Sequence, residues 1–182
     1  MNAMIFLVST LVKLYLMVVL LRLWLQSARA DFYNPFSQFV VKATQPILAP
    51  MRRILPAMGP LDTAALVLAF LIGVGYWFII TAIAGQLIDP MMALYLGLLT
   101  VLKEAGMLLF WVLLLRAILS WVSQGRSPIE YVMGQLTEPF LAPIRRRLPD
   151  LGGLDLSVLV LFIVLNVINI LLSDYVPMWA QI

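Results

Sequence analysis

Two clusters of arginine are the residues of this chain whose type and spacing best suit the binding of an anionic group. They follow apolar segments at corresponding places in the two halves of the chain, and they comprise Arg52, Arg53, Arg145, Arg146 and Arg147. Each basic residue near an anionic membrane surface contributes about 1 kcal/mol of attraction. Two interpretations stay open: general anchoring to lipid, or docking of a particular phospholipid headgroup or an acidic protein partner. The expected partners are membrane lipids, above all anionic phospholipid, and alternatively a membrane protein or further copies of the chain; nothing indicates nucleic acid.

Two aspartates follow these clusters at equivalent positions, Asp62 and Asp155. An aspartate just before an apolar helix is well placed to accept hydrogen bonds from the free N–H groups of the first turn. We expect this capping role, and it is compatible with an ion pair to the arginine clusters or to Arg22 and Arg116. Those two arginines lie near the ends of apolar stretches, where long side chains can extend to the interface.

One lysine is predicted to lie deep in the membrane. Lys13 falls near the middle of the first apolar stretch, where a charge costs about 3 kcal/mol or more and is usually paired. Lys103 and Glu104 interrupt the third stretch. These two residues either neutralise each other or give Lys13 a partner. Alternatively, residues 91–102 form an outer interfacial helix and the span begins near Ala105.

Two asparagines interrupt the fourth apolar stretch. Asn166 and Asn169 lie three residues apart and therefore share one helix face. Intramembrane amides usually bond across helices, with about 0.6–2 kcal/mol each, so we expect a packing role rather than a substrate site. A stripe of small residues in the second stretch predicts close helix contact, within one chain or between copies: Ala65, Ala69 and Gly73.

Missing residue types exclude several classes of function. The chain contains no cysteine and no histidine, so disulfides, thiolate or imidazole metal sites and histidine-based triads cannot be built. The chain also cannot supply the histidine or cysteine ligand commonly used for haem. We therefore expect no enzyme activity, no metal and no cofactor.

The elements that carry these residues are predicted to be membrane-spanning helices. The mean hydropathy is +1.02 and 12% of the residues are charged, against about 25% in soluble domains. A spanning helix needs about 20 mostly apolar residues. Four such stretches lie near residues 4–25, 61–86, 94–121 and 154–175. The expected fold class is an all-α integral membrane protein with four transmembrane helices.

The chain contains an internal repeat. Residues 44–62, TQPILAPMRRILPAMGPLD, match residues 137–155, TEPFLAPIRRRLPDLGGLD, without a gap at an offset of 93. We therefore expect two helix–loop–helix modules, residues 1–90 and 91–182. Each module contributes two spans, so both have the same orientation and the repeat is parallel, about an axis along the membrane normal.

The loop of each module is predicted to form an amphipathic helix, over about residues 35–55 and 128–148. The second loop begins with a predicted capping box from Ser127 to Glu130, and Asn34 before a proline is a weaker version. Proline is predicted to break or kink both helices before the basic clusters, at Pro46, Pro50, Pro139 and Pro143. Such a helix lies in the headgroup plane, dips into the bilayer or packs against the bundle.

Orientation is predicted from the basic residues. Eight of the 12 basic residues lie in the two long loops, and the short loop between the second and third spans has Asp89 and no base. By the positive-inside rule, both long loops are cytoplasmic and both termini lie outside.

The repeated block T-Q/E-P-x-L-A-P-x-R-R-x-L-P-x-x-G-x-L-D resembles the YggT family of small bacterial membrane proteins, also called the YlmG family. The resemblance implies a location in the bacterial inner membrane with periplasmic termini. Plastid relatives look like biogenesis factors for a b-type cytochrome and for nucleoid partitioning, and bacterial relatives are linked to cell division and osmotic or potassium stress. We expect a non-enzymatic scaffold or assembly factor; the alternative is a small transporter or channel component for ions or osmolytes.

Overall fold

The fold is a bundle of α-helices. The computed structural model describes residues 3–122, 127–148 and 156–182. Within these ranges the helices are α1 (Ala3–Ser27), α2 (Pro35–Ile54), α3 (Thr63–Ile83), α4 (Pro90–Val122), α5 (Pro128–Arg145) and α6 (Leu156–Tyr175), and a 3₁₀ helix (Trp179–Gln181) follows. Four helices are long and apolar enough to cross a membrane: α1, α3, α4 and α6. The all-α class and the four candidate spans are thus confirmed, and the superposition of the two halves stays a prediction.

Helix α4 is continuous, although two charged residues interrupt its apolar sequence. Asp89 begins the helix, because its Oδ1 accepts hydrogen bonds from the backbone N–H groups of Met91 and Met92 at 3.0 and 3.1 Å. The helix then has 33 residues and a length of about 50 Å. The alternative of a separate interfacial helix ending before Ala105 is therefore wrong.

Helices α3 and α4 approach each other closely at two glycines. A Cβ atom on Gly73 would lie 2.6 Å from the carbonyl oxygen of Gly97, and one on Gly97 would lie 2.8 Å from the backbone nitrogen of Val74. Ala65 and Ala69 of the same small-residue stripe are fully buried in the core that α1 and α3 share. The stripe is therefore used within one chain.

Helices α2 and α5 each bury one face against the bundle. The buried faces consist of Ser37, Val40, Thr44 and Leu48 in α2, and of Val132, Met133, Leu136, Thr137 and Leu141 in α5. The four internal prolines lie on the exposed faces and do not end either helix. The alternative that they break the helices is therefore wrong, because a carbonyl freed by proline on an exposed face can bond to solvent or headgroups. The alternative that they kink the helices stays a prediction.

The two helix starts reverse the predicted order of cap strength. Oδ1 of Asn34 accepts a hydrogen bond from the backbone N–H of Phe36 at 2.9 Å, whereas the hydroxyl of Ser127 makes no capping bond to any described residue. The predicted capping box at Ser127 was therefore wrong. Instead, Nδ2 of Asn34 donates to the carbonyl oxygen of Pro128, so a residue of the first half fixes the start of α5.

Candidate functional site

In the first half, the basic cluster is tied to the start of α3. The Arg52 guanidinium donates from Nη2 to Oδ2 of Asp62, whose side chain is completely buried. Oδ1 of the same carboxylate accepts from the backbone N–H of Ala65 at 3.3 Å. Asp62 thus combines the two roles expected for it, a helix cap and an ion pair.

In the second half, one glutamate joins two arginines. Glu138 accepts from Arg145 Nη1 at 2.8 Å and from Arg116 Nη2 at 3.1 Å, and Arg116 Nη1 also donates to Oγ1 of Thr137. Asp155 lies outside the described residues. Glu138 was not predicted from the sequence, although its position seven residues before Arg145 on one helix face was a usable signal.

The remaining three arginines of the clusters are exposed. Arg53 follows the paired Arg52, and Arg146 and Arg147 follow the paired Arg145. Ile54, next to Arg53, is 82% exposed. The end of α2 therefore presents charged and apolar groups together to the surroundings, and the segment after α5 presents charged groups.

Arg22 does not reach the surface, which contradicts the expectation that its side chain extends to the interface. Its residue exposure is 7%, and the guanidinium carbon lies 4.9 Å from the ring centre of Phe32. Its Nε and Nη1 atoms are buried and find no hydrogen-bond partner among the residues that the structure describes. Phe32, in the loop before α2, lies over the guanidinium group, and both α2 and α3 pack against α1.

An ion pair links the two halves within the apolar bundle. Nζ of Lys13 in α1 lies 3.3 Å from Oε1 of Glu104 in α4, and it also lies 5.6 Å from the ring centre of Tyr76. Lys103 does not pair with its neighbour Glu104. Its ammonium group donates to the backbone oxygens of Trp179 and Ile182 at 2.9 and 2.8 Å.

A cavity of about 320 Å³ lies between α4 and α6. Apolar side chains form most of its wall, and Lys103, Asn166, Asn169 and Trp179 supply polar groups. Nε1 of Trp179 donates to Oδ1 of Asn169 at 2.9 Å, so this amide holds the segment after α6 rather than another spanning helix. Among the described residues, no cluster of acidic side chains is suited to hold a metal ion.

Comparisons with known proteins place these features in a family. A family model described as CCB3/YggT matches residues 1–83 and residues 95–176. A Vibrio alginolyticus protein named for the proC 3′ region is 60% identical over the full length of both chains. The protein YggT of Escherichia coli K12 is 54% identical over 93% of this chain and 88% of its own length. A Haemophilus influenzae protein is 43% identical over 94% of this chain and 93% of its own length. No solved structure matches the chain. The chain, with its double match to the family model, belongs to the CCB3/YggT family.

Proposed function

We propose that this protein is a non-enzymatic scaffold of the bacterial inner membrane that docks anionic lipid on its cytoplasmic face. The observation that carries the proposal is that the arginines of the two clusters differ in whether they are paired. Arg52 and Arg145 are held by carboxylates of the chain, while Arg53, Arg146 and Arg147 are exposed. These three residues, here called the exposed patch, are available to an external anion.

The amphipathic helices support this role. Both expose large apolar side chains, including Phe39 in α2 and Phe140 in α5, and both carry basic residues in their last turn. A helix of this kind buries its apolar side chains at the acyl boundary while its cations meet the headgroups. The two helices also contact each other. In the proposed parallel arrangement, with both termini periplasmic, the two ends of the exposed patch act on the same leaflet.

The scaffold role follows from the placement of the exposed patch at the membrane surface. A lipid-bound, rigidly held pair of helices presents a fixed face to a membrane protein partner in division, complex biogenesis or the osmotic stress response.

The proposal is tested with two matched double variants in nanodiscs. Arg53→Gln with Arg146→Gln removes two charges from the exposed patch, and Arg29→Gln with Lys42→Gln removes two exposed charges elsewhere in the first loop. We expect the first pair to weaken binding of phosphatidylglycerol about tenfold or more, and the second pair to weaken it less. This difference between the variants should hold at both low and high salt. Equal losses in the two variants would contradict docking and leave general anchoring.

A small transporter or channel component is the second candidate function. The cavity between α4 and α6 favours it, because Lys103, Asn166 and Asn169 are polar groups inside an otherwise apolar wall. Purified protein in liposomes tests this function directly, with flux of K⁺ or a small osmolyte as the readout. Flux that Asn166→Leu abolishes would support it, and membranes that stay tight would exclude it.

A further inference from the structure

Arg22 has no ion-pair partner among the described residues, because Asp62, the acidic residue that acts on it electrostatically, is paired with Arg52 instead. The guanidinium group has five N–H donors, and Nε and Nη1 are buried without a hydrogen-bond partner among the described residues. Contact with the face of Phe32 offsets part of this cost but accepts no hydrogen bond in the plane of the group. A buried, unpaired charge is strongly unfavourable, so the position calls for an oxyanion from outside the chain.

The second half of the repeat shows which group is missing beside Arg22. Arg22, Gln45 and Arg52 correspond in sequence to Arg116, Glu138 and Arg145. In the second half, the Glu138 carboxylate accepts hydrogen bonds from both arginines, at 3.1 and 2.8 Å. In the first half the corresponding residue is the neutral, exposed Gln45. The first half therefore keeps the two arginines and lacks a carboxylate at the position of Glu138, while Asp62 holds Arg52 from the start of α3.

We propose that the first half binds a phosphate group at Arg22, in the place that the Glu138 carboxylate takes in the second half. Arg22 supplies the buried donors. Arg52, whose side chain is 27% exposed, is paired with Asp62 on one side and completes the positive surroundings. Guanidinium groups suit phosphate because they offer several N–H donors in a planar fork. This site is separate from the exposed patch and does not rest on the proposed function.

The depth of Arg22 favours a phospholipid phosphate as the source. Helix α1 ends at Ser27, five residues after Arg22, which places the arginine about 8 Å before the end of the helix. Arginine at this depth of a span meets the level where phosphate groups border the acyl chains. A phospholipid brings its phosphate there from within the bilayer, whereas free phosphate must leave water.

The experiment exchanges the two residues that differ between the halves. The full chain is purified in mild detergent, and bound phosphatidylglycerol is counted by native mass spectrometry and by ³¹P NMR. Gln45→Glu supplies the missing carboxylate, and Gln45→Ala at the same exposed position is the matched control. We expect one retained lipid in the natural chain and in Gln45→Ala, and at least about a tenfold loss of occupancy in Gln45→Glu. Glu138→Gln should add a second retained lipid.

The outcomes separate the sources of phosphate and the two proposals. Delipidated protein is titrated with inorganic phosphate. If phosphate binding is lost in Gln45→Glu and kept in Gln45→Ala, the site is supported with free phosphate as its source. Full lipid occupancy in Gln45→Glu would overturn the proposal. The proposal would also be overturned if the natural chain retained an acidic protein instead of lipid and Gln45→Glu released that protein. The exposed-patch variant Arg53→Gln with Arg146→Gln should leave the retained lipid in place, so either proposal can fail without the other.

Discussion

At the scale of single residues, the sequence predicted that Asp62 could pair with an arginine, but not which arginine would be its partner. Arg52 and Arg53 are neighbours of the same type, yet one pairs with Asp62 and the other is exposed. Successive helix residues point about 100° apart, so the orientation of the whole helix decides which arginine reaches a carboxylate. The roles of Asp62 followed from its place before an apolar run. The burial of Arg22 did not, because it depends on how the loop residue Phe32 and the helices α2 and α3 pack against α1.

Removing only one partner of the ion pair between Lys13 and Glu104 is predicted to lower the free energy of unfolding more than removing both partners. Glu104→Gln leaves the ammonium group of Lys13 inside the bundle without its carboxylate, so we expect a loss of about 3–5 kcal/mol in the free energy of unfolding. Replacing both residues with methionine removes both charges and should cost much less. The measurement is reversible unfolding in mixed micelles. Lys42→Met, at an exposed position, is the control, and equal losses in the single and double variants would contradict this account.

At the scale of the helices, hydropathy predicted where the spans lie to within a few residues, but the sequence did not predict how α2 and α5 begin or on which face their prolines lie. The stretch predicted near residues 61–86 is helix α3, Thr63–Ile83. Cap strength was misjudged because the motif at Ser127 is local, whereas Asn34 gains a second hydrogen bond across the halves. The break expected at the prolines was wrong for a related reason, since only the packed structure shows that they lie on exposed faces.

The contact of α3 with α4 yields a prediction with matched glycine controls. Gly97→Ala places a methyl group within 3 Å of the backbone of Val74, so the two helices must separate. We expect a cost of about 1–3 kcal/mol, as in overpacked cores. Gly106→Ala lies on the same helix with nothing within 4 Å of the added carbon, and should be neutral or slightly stabilising, because alanine favours helix more than glycine does. Unfolding in mixed micelles compares them, and similar effects would contradict the close approach.

The caps of α2 and α5 give a second prediction at this scale. Asn34→Ala removes the hydrogen bond to the N–H of Phe36 and the bond to the carbonyl of Pro128. We expect a loss of about 1–2 kcal/mol for the cap alone. Ser127→Ala removes a hydroxyl that does not cap, so its effect should stay within about 0.5 kcal/mol. A larger effect for Ser127 than for Asn34 in the same unfolding assay would restore the order expected from sequence.

At the scale of the whole molecule, the repeat predicted two related halves but not the contacts that join them. Those contacts use residues at which the halves differ in sequence. Lys13 corresponds to Met107 at an offset of 94, and Gly73 corresponds to Asn166 at an offset of 93. A repeat reveals what the modules share, whereas the interface between modules requires residues that only one of them carries. The identification as a relative of YggT, which rested on the shared block, is confirmed by the family model.

The orientation of the molecule is the last prediction, and the natural absence of cysteine makes it direct to test. One introduced cysteine is then the only thiol in the chain. Leu87, between α3 and α4, and Tyr175, at the end of α6, are both strongly exposed and are predicted to be periplasmic. Met58, between α2 and α3, is also exposed and is predicted to be cytoplasmic.

A membrane-impermeant maleimide applied to intact spheroplasts should therefore label Leu87→Cys and Tyr175→Cys, and should label Met58→Cys only after the membrane is opened. The physical reason is the distribution of charge: the loops around Met58 and after α4 contain eight basic residues, and the loop around Leu87 contains none. Translocating such loops against the membrane potential costs about 2.3 kcal/mol per charge at 100 mV. The reverse labelling pattern would show that the molecule has the opposite orientation in the membrane. Labelling of Leu87→Cys and Tyr175→Cys from opposite sides would contradict an even number of crossings between them, and with it the parallel arrangement of the two halves.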